Sequence, residues 1–429
     1  MLRILHTADL HVGTPFKLRA SQLPDSALEQ LRLAAGTVLQ RIVDYAIEKR
    51  LDAVIIAGDL FDEADPPVSV QYAVYRQFRR LAERGIPVVL SHGNHDPVGA
   101  ASLFPWPSTV HVLGGVDSGE RVCDILLPLG GCQVQFSGFS YATRELYGSK
   151  VAQFARREGA DIAIALYHGQ VGSASGSHAP YAATSLGELL SHGDFDVWAL
   201  GHIHGYRVLH EGRPFVAYSG SPQGRDAGEA GRHGGILLTW DEQLRLSHSF
   251  IPFSTVEWQR VNVDVTGLTT FEAVWAATAT KLDRDSSLRL IDLHLSGQSP
   301  LSASLNLPEA RSIFQQAADD DGYPVWIHRY ASTVEAEIDW RVWEAADGYV
   351  GQLMALLRQV TQHPEEAVGL LDGIWSKDEI AIVEEAIAGD PESVLEQVRQ
   401  ILLSQMRPEQ DDLELVEWRG VHAATGSAD

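Results

Sequence analysis

The sequence predicts a layered α/β fold, with two sheets and flanking helices over about the first 250 residues, followed by a smaller α/β unit and a helical region. Three observations predict it. Short runs such as VIIA (54–57), VVL (88–90), IAIAL (162–166) and VWAL (197–200) are apolar throughout, as strands covered on both faces are. Residues 28–49 and 69–84 lie between such runs and space their apolar positions by three and four, the period of a helix with one buried face. Near Pro252 the pattern changes. WQRVNVDV (258–265), a helix around 269–283, LRLIDLHLSG (288–297), a helix around 308–319 and VWIHRYA (325–331) read as a compact β-α-β-α-β unit.

Five apolar runs each end in a short polar cluster. RILHTADLH (3–11) ends in Asp9 and His11, and LDAVIIAGDLFD (51–62) in Asp59 and Asp62. IPVVLSHGNHD (86–96) ends in Asn94, His95 and Asp96, ADIAIALYHG (160–169) in His168, and FDVWALGHIH (195–204) in His202 and His204. After Gly115, VCDILLPL, CQVQFSGFS, YRVLHEGRPFVAYSG and GGILLTWDEQLRLSHSF read as further strands. From about Trp343 the chain is helical and acidic. The expected amphipathic helices at about 349–361 and 391–406 are separated by the breaker Gly389-Asp390-Pro391, and the tail AATGSAD is too polar to pack. There is no internal repeat.

Composition narrows the function classes. The chain has 429 residues, 45% hydrophobic and 21% charged, too long for one ordinary core. It contains no run of about 18 apolar residues, so no membrane span is expected. The opening MLRILHTADLH enters a strand without a basic and then apolar leader, so a cytoplasmic location is expected. The only cysteines, Cys123 and Cys132, are too few for a disulfide framework or a thiolate zinc site. With 33 basic and 57 acidic side chains the net charge is −24. That balance argues against tight nucleic-acid binding by the chain alone, and it suits bound cations and a partner that supplies positive surface.

Asp, His and Asn are ligands for hard or borderline divalent metals, and open α/β sheets place their sites at the carboxyl ends of strands. Asp9 with His11, and His202 with His204, are i, i+2 pairs. On a continuing strand the members of such a pair point the same way, which lets the two pairs converge.

In this order, D-x-H (Asp9, His11), G-D (Gly58, Asp59), G-N-H-D (Gly93 to Asp96), H-G (His168, Gly169) and G-H-x-H (Gly201 to His204) resemble the motif set of the calcineurin-like metallophosphoesterases. The resemblance implies a four-layer α-β-β-α sandwich and two divalent metal ions, most often Mn2+. The first ion would be held by Asp9, His11, Asp59 and His204, and the second by Asp59, Asn94, His168 and His202. Asp59 would lie between the two ions, about 3.5–4 Å apart in such sites. His95 resembles the family's catalytic histidine, which protonates the leaving oxygen or binds the phosphate. Asp96 is expected to orient His95. Asp62 either orients His95 or serves a turn.

The stretches MLRILHTADLHVGTPF, HAPYAATSLGELLSHGDFDVWALGHIHG and YSGSPQGRD are similar to the SbcD-type double-strand-break repair exonucleases, in particular a bacterial subgroup typified by YhaO. This implies a metallophosphoesterase nuclease domain at 1–252 and an α/β capping domain at 253–342. An acidic helical region at 343–422, with a docking role toward an SMC-like ATPase or packing on the cap, and a disordered tail at 423–429 would follow. DNA would be the substrate and a homodimer the working form. The alternatives are a phosphatase or phosphodiesterase of small nucleotides, and a non-catalytic scaffold. Protein phosphatases of this superfamily read G-N-H-E rather than the G-N-H-D found here, and no ligand position is missing, as scaffolds would have it. His92 reads as packing or support, and His178 as a solvated or substrate-touching loop residue. Arg225 reads as a turn residue or a phosphate partner. Trp258, Trp275 and Trp326 read as core rather than a base-stacking platform.

Overall fold

The structure, a computed structural model, describes residues 1–17, 25–98, 103–115, 117–172, 181–282 and 288–336, with positions 352, 355 and 359. Met1–Val334 form one compact unit and Glu335–Asp429 a second. Apart from those three positions, the helices expected at 349–361 and 391–406, the tail 423–429 and His178 lie outside the described residues.

The first sheet is built from β1 (Leu2–Thr7), β2 (Ala53–Ala57), β3 (Val88–Ser91) and β4 (Val110–Val112), with α1 (Asp25–Glu48) and α2 (Val68–Ala82) in the crossovers. The second takes β5 (Cys123–Leu129), β6 (Cys132–Gly138), β7 (Ile162–His168), α3 (Leu186–Ser191), β8 (Val197–Gly201), β9 (Arg207–His210) and β10 (Phe215–Tyr218). The chain then returns to the first sheet with β11 (Gly234–Trp240) and β12 (Leu246–Pro252). The sheet orders are β12-β11-β1-β2-β3-β4 and β5-β6-β7-β8-β10-β9. β1 to β4 are mutually parallel, as are β6, β7, β8 and β10. The antiparallel hairpin β11–β12 closes one side of β1.

Strand alternation builds the layers. Leu2 and Ile4 of β1, Ala53, Ile55 and Ala57 of β2, and Val89 of β3 pack against Phe136, Ile162, Ile164, Leu166, Val197 and Ala199 of the facing sheet. The intervening residues Leu5, Val54, Ile56, Val88 and Leu90 turn outward onto Val38, Ile42 and Val43 of α1 and Val74, Phe78 and Leu81 of α2. On the far side, Ala163, Ala165, Tyr167, Trp198 and Leu200 pack under Leu189 of α3 with Phe154 and Phe195. Helix, sheet, sheet and helix are thus glued by three apolar layers. Each fully buried large side chain stabilises them by roughly 1.5–3 kcal/mol relative to exposure.

A third sheet, β13-β14-β15, follows: β13 (Val256–Asp264), α4 (Phe271–Ala279), β14 (Leu288–Ser299), α5 (Ser302–Leu305), α6 (Ala310–Asp320) and β15 (Val325–Ala336). Its helices cover one face, where Val274 and Trp275 of α4 and Phe314 of α6 meet Val261, Val263, Leu293 and Leu295. The N-terminal half of α1 joins it to the sandwich, since Ala27, Leu31 and Ala34 pack on Val256, Trp258, Leu288 and Leu290. Trp258 and Trp275 are core residues, and Trp326 packs beside the α1 contact. No helix among the described residues is long and apolar enough to cross a membrane.

Candidate metal centre

The parallel strands of both sheets deliver their carboxyl ends to one rim. Asp9 and His11 follow β1, Asp59 follows β2, Asn94 and His95 follow β3, His168 ends β7, and His202 and His204 follow β8. Pairing of β7 with β8 sets His168 opposite Gly201, one residue before His202.

The paired residues do not reach the site as members of a continuing strand. β1 stops at Thr7 and β8 at Gly201, and the chain then takes left-handed φ at Asp9 (52°), His11 (43°), Asp59 (50°) and His202 (97°). Such conformations cost about 1–3 kcal/mol each in a non-glycine residue and persist only where the surroundings enforce them. Here they are enforced by backbone bonds from Asp9 N to Gly58 O (3.1 Å) and His11 N to Asp59 O (3.1 Å). His202 N donates to both carboxylate oxygens of Asp9, at 2.9 and 3.0 Å. The motif glycines leave room for this crowding: a Cβ at Gly58 would lie 2.1 Å from His168 Nδ1, and one at Gly93 2.2 Å from Asp59 Oδ1.

Three overlapping groups of potential ligand atoms result: Asp9, His11 and His204; Asp9, Asp59 and His168; and His11, Asp62 and His95. His168 Nδ1 donates to Ala57 O at 2.9 Å, so its Nε2 lone pair, in the neutral ring, faces Asn94 Oδ1 (2.9 Å) and Asp59 Oδ2 (3.3 Å). His204 Nδ1 donates to the Glu229 carboxylate, which leaves its Nε2 against His11 Nε2 at 3.2 Å. His202 Nδ1 also meets Asn94 Oδ1, at 3.2 Å. At His168 Nε2, acceptor thus faces acceptor, an arrangement that needs a proton or a cation between them.

The electrostatics agree. Asp9 is fully buried, and that burial pushes its carboxyl up, so its charge is under-compensated by the protein's own groups. Burial likewise opposes the charge of Asp59, yet the adjacent His168 holds this carboxyl well below the usual range. Burial also works against a proton on His168, but Asp59 outweighs it and raises the imidazole to about 9. That proton sits where a divalent cation would displace it. Burial lowers His202 to about 3, which keeps it in the neutral, ligating form. Buried carboxylate oxygens and neutral imidazole nitrogens fit a hard or borderline divalent metal.

His95 is half-exposed at the edge of this group. Its Nδ1 donates to the Asp62 carbonyl (3.1 Å) and lies 3.4 Å from Asp62 Oδ1, its backbone N–H donates to Asp59 Oδ1 (2.9 Å), and its ring stands edge-on to His11. Asp62 Oδ1 is also 3.1 Å from His11 Nδ1. These contacts hold the Asp62 carboxyl well below its usual range and raise His95. Asp96 corrects one expectation, because it does not orient His95. Its carboxylate accepts from Gly93 N (2.8 Å), Leu60 N (3.0 Å) and Phe61 N (3.3 Å) and meets His92 Nδ1 (3.3 Å). It therefore ties the Asp59 loop to the Asn94 loop. Arg225, read as a turn residue or a phosphate partner, is 5% exposed and its guanidinium donates to Leu10 O, so it braces the Asp9 loop from its turn. Glu229 was not legible at all, being one acid in a small-residue turn with no periodic or motif signal. The same holds for Tyr141, whose hydroxyl donates to His168 O at 2.9 Å.

Known proteins are similar to the chain over the region that carries these residues. A family profile described as calcineurin-like phosphoesterase matches residues 2–206, a span that contains every strand-end residue named above. The chain is 32% identical over 303 residues to the protein named uncharacterized metallophosphoesterase YhaO of Bacillus subtilis (strain 168), covering 70% of this chain and 72% of that one. It is 27% identical over 301 residues to the D component of the nuclease SbcCD of the same organism, covering 61% and 73%. It is 24% identical over 286 residues to the DNA double-strand break repair protein Mre11 of Methanopyrus kandleri, covering 60% and 58%. With potential oxygen and imidazole ligands gathered at the sandwich rim inside the matched span, the chain belongs to the calcineurin-like phosphoesterase family, as a hydrolase of phosphodiester bonds suited to divalent metal.

Proposed function

We propose that the chain is a DNA nuclease that works with two divalent cations, Mn2+ being the natural pair. Asp9, His11, Asp59 and His204 would hold one ion, and Asp59, Asn94, His168 and His202 the other. The observation that carries this reading is the convergence of buried ligand atoms, with His168 Nε2 against Asn94 Oδ1 and Asp59 Oδ2 and His204 Nε2 against His11 Nε2. When bound, such ions neutralise the phosphate and activate a water for in-line attack. The chain's own groups supply the rest. Asp62 stabilises the doubly protonated ring of His95, whose Nε2–H is then available to the leaving oxygen. Asp96 holds the two loops that carry Asp59 and Asn94 at a fixed separation.

DNA as substrate is supported by similarity to proteins named as a nuclease component and as a double-strand break repair protein. The charge of −24 favours a partner that supplies phosphate-binding surface. An SMC-like ATPase engaged through residues 343–422, with the nuclease as a dimer, fits that need. The test is hydrolysis of single-stranded, blunt duplex and hairpin DNA with Mn2+, beside small mononucleotide diesters. Metal-dependent DNA products that disappear in His95→Ala support the reading. Turnover of the small diesters with DNA left intact would replace it with a nucleotide phosphodiesterase.

A further inference from the structure

We infer that Glu229 is the positioning residue for His204, and that the turn carrying it, Arg225 to Glu229, also braces the loop bearing Asp9 and His11. The inference rests on the metal reading of the rim proposed above.

His204 lies beyond the end of β8, and strand geometry does not fix its ring. What fixes it is a closed set of hydrogen bonds. Ser221 N donates to His204 O at 2.9 Å, and Ser221 Oγ meets His233 Nδ1 at 2.9 Å. His233 Nε2 donates to Glu229 O at 2.9 Å, and the Glu229 carboxylate accepts from His204 Nδ1. The ring of contacts therefore returns to the residue where it began. The second carboxylate oxygen of Glu229 accepts from Arg225 N at 2.7 Å. The buried Arg225 guanidinium crosses to Leu10 O, between Asp9 and His11. One five-residue turn thus reaches both loops whose imidazole nitrogens, on His11 and His204, meet at 3.2 Å.

The chemical consequence is specific. A neutral imidazole has two tautomers, and only the Nδ1–H form leaves the Nε2 lone pair of His204 facing His11. A carboxylate on Nδ1–H selects that form, fixes the ring plane and raises the basicity of Nε2. Loss of such a partner typically costs about 10–100-fold in metal affinity.

The test is calorimetric titration of the metal-free, full-length chain with MnCl2, for the wild type, Glu229→Ala, Glu229→Gln and His204→Ala. Glu229→Ala should weaken one binding step about 10–100-fold, the same step that His204→Ala removes, and leave the other unchanged. Glu229→Gln keeps an oxygen for the Nδ1–H and should show a smaller loss at that step. Thermal unfolding of the metal-free variants reports whether the fold is kept. If both steps match the wild type, or both weaken together with the metal-free unfolding temperature, Glu229 is not a positioning residue for His204. A wild type that binds no manganese would overturn the metal reading itself, and this inference with it. Normal wild-type binding with unaffected Glu229 variants overturns the inference alone.

Discussion

The strands that feed the sandwich rim, such as β2, β7 and β8, are buried throughout, whereas β13 of the third sheet alternates buried with exposed positions, and the two regions differ in backbone as well. Between Val256 and Ala336 every described residue with left-handed φ is a glycine: Gly267, Gly297 and Gly322. At the rim the same region of φ is occupied by Asp9, His11, Asp59 and His202, where it costs energy. The polar side chains differ as well. At the rim, buried carboxylates and imidazoles converge on one another, whereas among the described residues no such group of potential ligands forms in the third sheet. Burial of the strands does not by itself mark which of the two regions is functional. The functional one is recognised where the chain leaves its cheapest conformation in order to bring acceptors together.

If that contrast is sound, substitutions in the two regions should dissociate stability from activity. The largest effect is expected at the rim. His95→Ala should retain its bound metal and lose about 10²–10⁴-fold in phosphodiester hydrolysis, the usual contribution of a general acid. Metal content and turnover measured on the same sample check this, and loss of the metal would instead make His95 a ligand. In the third sheet, Phe314 is fully buried, and Phe314→Ala should cost about 3–5 kcal/mol of stability. The hydrolysis rate per folded molecule should stay constant, with urea unfolding and turnover as the paired measurements. A glycine pair gives the finest comparison. Gly93→Ala places a methyl 2.2 Å from Asp59 Oδ1 and 2.8 Å from His168 Nε2, so it should cost about 1–3 kcal/mol and weaken Mn2+ binding. Gly322→Ala meets no atom within 4 Å but keeps φ at 70°, so it should cost roughly 1–2 kcal/mol and leave Mn2+ binding unchanged. Equal losses of metal in the two variants would erase the distinction between the regions.

The layers were legible because runs such as AVIIA are apolar on both faces, as a strand covered on two sides is, and the two sheets use those faces as expected. The gathering of strand-end residues was legible from their position after each run. The means of gathering was not. Periodicity carries no sign of left-handed φ at Asp9 or Asp59, so the i, i+2 pairs read as members of continuing strands when both in fact lie past the strand ends. Contacts between distant segments were equally silent. Asp96 stands next to His95 in the chain but reaches Leu60 and Phe61, and Glu229 reaches a histidine 25 residues away. Sequence neighbours are a poor guide to which carboxylate holds which imidazole, because loop direction decides it.

The most direct test of the two-cation rim is manganese stoichiometry by plasma emission, comparing the wild-type chain with Asp59→Ala after equilibration with Mn2+ and removal of free metal. Asp59 is the carboxylate assigned to both ions, and it lies within reach of His168 (3.3 Å) and His11 (3.8 Å). Two manganese ions are expected per wild-type chain and none in a folded Asp59→Ala chain. Two ions retained by Asp59→Ala would contradict that assignment.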